Sequence, residues 1–262
     1  MGLNRRGELK SALFVQSLEK AFKVLEAFGN GDQFLSLSEI AELSNLDKAA
    51  AQRCVHTLVQ TGYLEKEPRT ARLMLGKKCL DLSYNLLRTN PLVIAATPIL
   101  VQLGRDIGEK ANLSLFDGTS LIYAVRTQSG DDSYFVSALV GRRVPAFCSA
   151  GGRAALSRLS VEEVKEIIAR SNLVRWTRNT IINPEEILVK VAEARDRSFG
   201  SSVGELMVGE VAVGSAIVDS SGRPIAAVHI AGSLRKWEAS KFAERFGPET
   251  ARVAELLSQH RS

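Results

Sequence analysis

The stretch that most limits what this chain can become is residues 36–62, SLSEIAELSNLDKAAAQRCVHTLVQTG. Ser36, with Glu39 three residues on, is the pattern of a capping box ahead of the apolar pair Ile40 and Leu43, so a short helix starts there. Ser44, Asn45 and Leu46 supply a turn, Asp47 caps a second helix, and Gly62 stops it. Within that second helix Ala51, Val55, Leu58 and Val59 recur at core spacing, while Lys48, Ala49, Gln52, Arg53, His56 and Gln60 share the opposite face. A helix-turn-helix lays its second helix in the major groove, where Gln and Arg make paired hydrogen bonds to purine edges and Lys neutralises phosphate. Gln52 and Arg53 are the candidates for bases. An ordinary helical hairpin with a solvated polar face has the same pattern, so the flanking chain decides between the two.

After Gly62, residues 63–66 read as a strand, Pro68-Arg69-Thr70-Ala71 as a turn, and residues 72–75 as a returning strand ended by Gly76. That is a two-stranded wing with Arg69 and Arg72 near its tip. Residues 48–78 hold seven basic side chains against two acidic ones, whereas residues 1–76 as a whole hold ten against nine. The positive charge is therefore gathered where a polyanion would lie, in a chain of net charge +5.

A chain of 262 residues, 45% of them hydrophobic, is long enough to bury two cores. Cys54, Cys79 and Cys148 stand far apart without a CxxC pair, so neither a disulfide framework nor a zinc site is expected. No apolar run reaches the roughly 18 residues of a membrane span, and MGLNRRGELKS lacks the apolar centre of a signal peptide. A cytoplasmic protein without membrane contact or cofactor is expected.

In chain order, residues 1–10 form a polar arm carrying Arg5 and Arg6. Residues 17–28 repeat Leu18, Ala21, Phe22, Leu25 and Phe28 at helical spacing, and Gly29-Asn30-Gly31-Asp32 ends that helix. Beyond the wing a second amphipathic segment runs from Lys77 through Leu80, Leu82, Tyr84, Leu86 and Leu87 until Asn90-Pro91 breaks it. Residues 92–107 read as helical with a restart at Pro98. Residues 112–116 and 121–126 alternate around Asp117-Gly118-Thr119 as a hairpin does. Gly130-Asp131-Asp132 reads as a turn and residues 134–140 as a further strand. Ser149-Ala150-Gly151-Gly152 opens a helix, residues 161–169 and 185–197 are amphipathic helices, and residues 211–218 and 225–230 are apolar strands. A last helix covers 238–257. The expected class is α+β: a winged helix-turn-helix at 14–76, a linker helix at 77–90, and a domain at 91–260 whose helices flank a largely antiparallel sheet.

VQSLEKAFKVLEAF at 15–28 and LSLSEIAELSNLDKAAAQRCVHTLVQTGYLE at 35–65 resemble the IclR-type bacterial transcriptional regulators. So do GRRVPAFCSAGGRAALS at 141–157 and GEVAVGSAIVDSSGRPIAAVHIAG at 209–232. The resemblance runs from about residue 14 to 257. It implies a GAF-like effector-binding domain, a homodimer or dimer of dimers, and a palindromic operator in double-stranded DNA. Many members have Ser-Thr after the recognition-helix lysine, where this chain has Ala49, Ala50 and Ala51. PAFC at 145–148 replaces the commoner Pro-Leu-His-Ala. Both features are similar to the branch that answers to aromatic acids such as protocatechuate and 4-hydroxybenzoate. The alanines also remove hydroxyls able to bond phosphate, so operator sequence does not transfer directly from other branches.

The expected effector site combines two kinds of residue. Ser149, Ala150 and Gly151 at a helix start present backbone N–H groups with little obstruction, which suits a carboxylate; a small-residue helix start is equally a close packing point. Arg126 at a strand end has the fork that pairs with a carboxylate, or is a surface arginine. Matching motif to motif, the resemblance adds Ser202 and Glu205 at the pocket mouth, Ala212 on one closing strand, and His229 and Ala231 on the other. Many relatives carry an acid where Ser202 stands.

Catalysis finds little footing. P-loop, GxSxG, HExxH and Rossmann fingerprints are absent, and of His56, His229 and His260 none has an identified Ser or Asp partner. The sequence-level expectation is a ligand-controlled DNA-binding regulator. The competing reading is a metabolic enzyme or sensor that uses the helix-turn-helix as a scaffold, and it differs in predicting no preferred DNA site.

Overall fold

Capping chemistry sets the two helices of residues 36–62 where the sequence places them. The computed structural model describes residues 13–31, 34–127 and 140–259. The arm with Arg5 and Arg6, Asp32 of the first turn, the turn at 130–132, residues 134–139 of the further strand, and His260 lie outside the described residues. The chain divides into two compact units, Met1–Leu86 and Leu87–Ser262.

In the first unit α1 (Gln16–Glu26) runs into a 3-10 turn, Ala27–Asn30, closed by Gly31 at φ +94°. α2 (Leu37–Leu43) has the full capping box: the Glu39 carboxylate accepts from the Ser36 N–H at 2.6 Å, and Ser36 Oγ accepts from the Glu39 N–H at 3.3 Å. Asn45 takes a left-handed conformation, φ +52°, in the turn that follows. α3 (Lys48–Gln60) starts on Asp47, whose carboxylate accepts from the Ala50 N–H at 2.7 Å. Val24, Phe28, Leu35, Ile40, Val55 and Leu58 close into one core with Leu64 and Leu73 of the wing. The wing strands β1 (Leu64–Lys66) and β2 (Leu73–Leu75) pair antiparallel, and Leu35 adds a bridge to Leu73. Gly76 must be glycine, because a Cβ there would collide with the Gly62 carbonyl. α4 (Lys78–Thr89) follows, with Leu80, Leu82, Tyr84 and Leu86 exposed.

In the second unit α5 (Pro91–Ile107) is capped by Asn90 and passes through Pro98 without the expected restart. Leu92, Val93 and Ala96 before the proline and Leu100 and Leu103 after it are buried in one core, which holds the two halves in line. Next come β3 (Lys110–Asp117), β4 (Ser120–Arg126) and a short strand not foreseen, β5 (Arg143–Pro145). α6 (Ala150–Leu156), α7 (Val161–Arg170) and α8 (Pro184–Arg197) precede a second unforeseen strand, β6 (Gly200–Val203). The chain then forms β7 (Glu210–Val218), β8 (Pro224–Ser233) and α9 (Ala239–Gln259).

Among the described residues six strands form one antiparallel sheet in the order β5-β4-β3-β8-β7-β6. Alternation along the strands assigns the two faces. Ala111, Leu113, Val213, Val228 and Ile230 face the core shared with α5 and α9, where Phe242, Phe246 and Val253 pack. The other face carries Ala212, Ala227, His229 and Ala231 toward α6, behind which α7 and α8 build a separate core with Phe147 and Leu156. No single helix among the described residues is long and apolar enough to cross a membrane.

Candidate functional site

The outward face of α3 is as patterned. Ala50, Ala51, Val55 and Leu58 are buried, whereas Lys48, Ala49, Gln52, Arg53, His56 and Gln60 are exposed. Of the three alanines only Ala49 is exposed, so the missing hydroxyl matters for a ligand there; Ala50 and Ala51 are packing positions. Arg53 lies to one side, where with Gln16, Ser17 and Lys20 it lines an open groove of about 590 Å³ beside α1. Gln52 does not line that groove. Hydrogen bonding holds the Asp47 carboxyl below its usual range, mainly the bond from Ala50, with Arg53 and Lys20 helping. The α3 cap is thus ionised at neutral pH.

At the wing, Arg69 is exposed but Arg72 is not free. Its Nη2 donates to the Phe34 carbonyl at 2.9 Å and to the Glu39 carboxylate at 2.8 Å. Glu39 is the same acid that completes the α2 capping box, so Arg72 ties the returning wing strand to the start of α2. Arg72, expected at the DNA face, is thus paired with Glu39 while its side chain stays 42% exposed. The wing tip is closed by Glu67, whose carboxylate accepts from the Thr70 N–H at 2.6 Å, with Ala71 at φ +57°.

In the second unit a cavity opens between the start of α6 and the sheet. Ser149, Ala150, Gly151, Ser202, Ala212, His229 and Ala231 all line it, as expected. Ala150, Ala212 and Ala231 form a cluster of small side chains, which is why space remains there. The structure also shows why the helix start is small. A Cβ on Gly151 would stand 2.9 Å from Ala227 Cβ, and one on Gly214 would stand 2.8 Å from the Gly151 nitrogen. Close packing thus accounts for the small residues at the start of α6. Ser149 Oγ accepts from the Gly152 N–H at 3.2 Å and donates to the Pro145 carbonyl at 2.7 Å, fixing the helix entry. The space is about 20 Å³, which suits one water molecule rather than an aromatic ring.

His229 is buried at 6% exposure, and neither ring nitrogen has a hydrogen-bond partner. Its ring stands edge-on to Tyr123, 5.2 Å between centroids. Burial, with the positive charge of Arg126 added, pushes its pKa down to about 3, so it is a neutral imidazole at physiological pH. Directly across the ladder is Asn112, whose buried Oδ1 is also unpartnered, as is Ser114 Oγ two residues along the same face. Buried polar atoms without a partner are uncommon in folded proteins.

Two expected site residues stand elsewhere. Glu205 does not line the cavity: its carboxylate is buried against Arg153 at 2.6 and 2.8 Å, and takes the Ile181 N–H at 3.1 Å. Arg126 does not line it either; its guanidinium lies 4.5 Å over the Tyr123 ring. Tyr123, Leu121, Val144, Leu206 and Glu210 complete the walls and were not singled out from sequence. Leu121 and Tyr123 alternate on one strand, and Glu210 is an acid at the head of an apolar strand; these were the available signals. Burial raises the Glu210 carboxyl above its usual range, while Arg126, Lys110 and Arg142 act against that shift. Among the described residues no cluster of His, Cys, Asp and Glu could hold a metal ion.

Comparison with known proteins bears on both units. The IclR helix-turn-helix domain matches residues 17–68, and the bacterial transcriptional regulator IclR C-terminal domain matches residues 84–259. The chain is 28% identical over 235 residues to the Pca regulon regulatory protein of Pseudomonas putida, covering 90% of this chain and 80% of that one. It is 25% identical over 245 residues to the transcriptional repressor IclR of Escherichia coli strain K12, covering 93% and 89%. An IclR homologue from Microbacterium hydrocarbonoxydans, solved in complex with 4-hydroxybenzoate, has the same fold with a TM-score of 0.71. It is 21% identical, with 93% of this chain and 99% of that one covered. These relatives are regulators of transcription, not enzymes. With both domains matched in this order along one chain, the protein belongs to the IclR family of bacterial transcriptional regulators.

Proposed function

We propose that this regulator controls a catabolic operon from the cytoplasm and that its second unit binds a small carboxylic acid, aromatic before short-chain. The observation that carries the reading is the cavity at α6. It brings the first-turn residues Ala150 and Gly151 beside a buried imidazole, His229, that lacks a partner. An acid entering there would place its carboxylate at that helix start and a polar substituent near His229. The Pca regulon protein of Pseudomonas putida makes an aromatic-acid pathway the first place to look.

On the DNA side, Lys48, Ala49, Gln52 and His56 form the surface offered to the major groove. Arg53 and Arg69 flank it, and Arg72 supports it from within. The operator is a palindrome read by a homodimer or a dimer of dimers. Exposed apolar side chains on α1 (Leu18, Phe22) and α4 (Leu80, Leu82, Leu86) support pairing with a second copy. Effector and operator are linked by a coupling free energy of about 1–3 kcal/mol, enough for roughly 5- to 150-fold control. A gel shift on the DNA upstream of the protein's own gene, with and without 4-hydroxybenzoate or protocatechuate, tests the reading. A sequence-specific complex whose affinity changes with the acid is expected. Equal binding to random duplex, or no response to any acid in a panel of aromatic and short-chain acids, refutes it.

A further inference from the structure

The turn joining β6 to β7 begins at Gly204, φ +64°, and ends at Gly209, φ +82°. Leu206 within it covers one side of the effector cavity, and Val208 at its tip is exposed. Between Gly204 and Leu206 stands Glu205, whose bidentate partner Arg153 is the largest fully buried side chain among the described residues. The Arg153 guanidinium also donates from Nε to the Phe147 carbonyl at 3.1 Å and from Nη1 to the Ser201 carbonyl at 2.8 Å. Arg153 rides on α6, the helix whose first turn forms the opposite wall. One planar cation therefore joins the two sides of the cavity, and its fork geometry leaves little play. Hydroxyls of Thr177 and Thr180 hold the carbonyls of Gly204 and Glu205 at 2.6 and 2.7 Å.

The remaining walls cannot yield cheaply. The sheet is held by its ladder, and α6 sits on β7 and β8 at glycine-limited distance. At about 20 Å³ the cavity must widen to take an aromatic acid, and Leu206, whose backbone the Arg153–Glu205 pair anchors, is the wall residue whose reach into the space that pair sets.

We infer that Arg153 and Glu205 are positioning residues: they touch no ligand, but fix how far Leu206 stands from α6 and so set the size of acid admitted. This rests on the effector reading above. The test compares 4-hydroxybenzoate with the longer 4-hydroxycinnamate by calorimetry on the full-length protein, wild type against Glu205→Gln and Leu206→Ala. Wild type is expected to bind the shorter acid at least tenfold more tightly, and each variant to narrow that gap to less than threefold. A purely structural ion pair would lower the melting temperature and leave the gap unchanged. That result in a folded variant overturns the inference alone, and should Glu205→Gln fail to fold, Glu205→Asp, which keeps the charge on a shorter arm, takes its place: a gap as wide as in wild type overturns the inference, whereas Leu206→Ala only checks that Leu206 bounds the space. A wild-type protein that binds neither acid overturns the aromatic-effector reading as well.

Discussion

His229 is a histidine whose charge has been designed out by its surroundings. Its folded pKa of about 3 lies below the unfolded value near 6.5, so the unfolded chain binds the extra proton. The stability it contributes is present above about pH 6.5 and is lost as pH falls toward about 3, with a slope approaching 1.4 kcal/mol per pH unit. Urea unfolding at intervals between pH 6.5 and 4.5 checks this. His229→Gln should flatten the profile over that window, leaving the carboxylates held down by hydrogen bonds, Asp47 and Glu39 among them, to act at lower pH. At the DNA face, Arg53→Ala is expected to weaken specific binding by about 1–3 kcal/mol if the side chain reads a base. Its place at the groove beside α1 makes the comparison with random duplex informative: equal losses on both would assign it to phosphate.

At the scale of elements, the wing depends on contacts that its own two strands do not contain. Arg72 links β2 to the capping box of α2 through Glu39, so two elements share one carboxylate. Ser36→Ala is expected to destabilise the first unit by about 1 kcal/mol through the lost cap. Arg72→Ala should leave the helices formed but loosen the wing, seen as faster amide exchange at Leu73 and Leu35. Uniform protection after that substitution would show that the β1–β2 ladder stands alone. In the second unit the buried pair of α6 makes a contrasting prediction. Glu205→Ala leaves a guanidinium uncompensated in the interior and should cost about 3–5 kcal/mol, measured by chemical unfolding. Restoring less than 1 kcal/mol with Arg153→Met in the same chain would argue against an isolated buried charge as the cause.

For the whole molecule, the proposed control by an acid requires that acid binding and duplex binding bias one equilibrium, and linkage makes the effect reciprocal. Operator DNA should therefore change the affinity for the acid by the same factor by which the acid changes the affinity for DNA. Calorimetric titration of the acid into free protein and into the protein–duplex complex measures it, and different factors in the two directions would mean that the two events do not share a cycle. The salt dependence separates the partners further: a steep fall of affinity with salt belongs to phosphate contacts and not to effector binding.

The elements themselves were largely legible, because helices and hairpins are written in local signals: Ser36 and Glu39, Asp47, Gly62, the alternation of β3 and β4, and the apolar runs of β7 and β8. The outward face of α3 was legible for the same reason, since a period of 3.6 places Lys48, Gln52 and His56 together without reference to the rest of the chain. The short strands β5 and β6 were not, because three or four residues carry too little pattern and owe their pairing to neighbours far along the chain. The partners of charged side chains were not legible either. Whether Arg72 meets DNA or Glu39, and whether Glu205 meets a ligand or Arg153, depends on residues 33 and 52 positions away. Local sequence specifies what a segment can become, but burial decides which of its polar atoms still have a bond to give, and burial is a property of the assembled core.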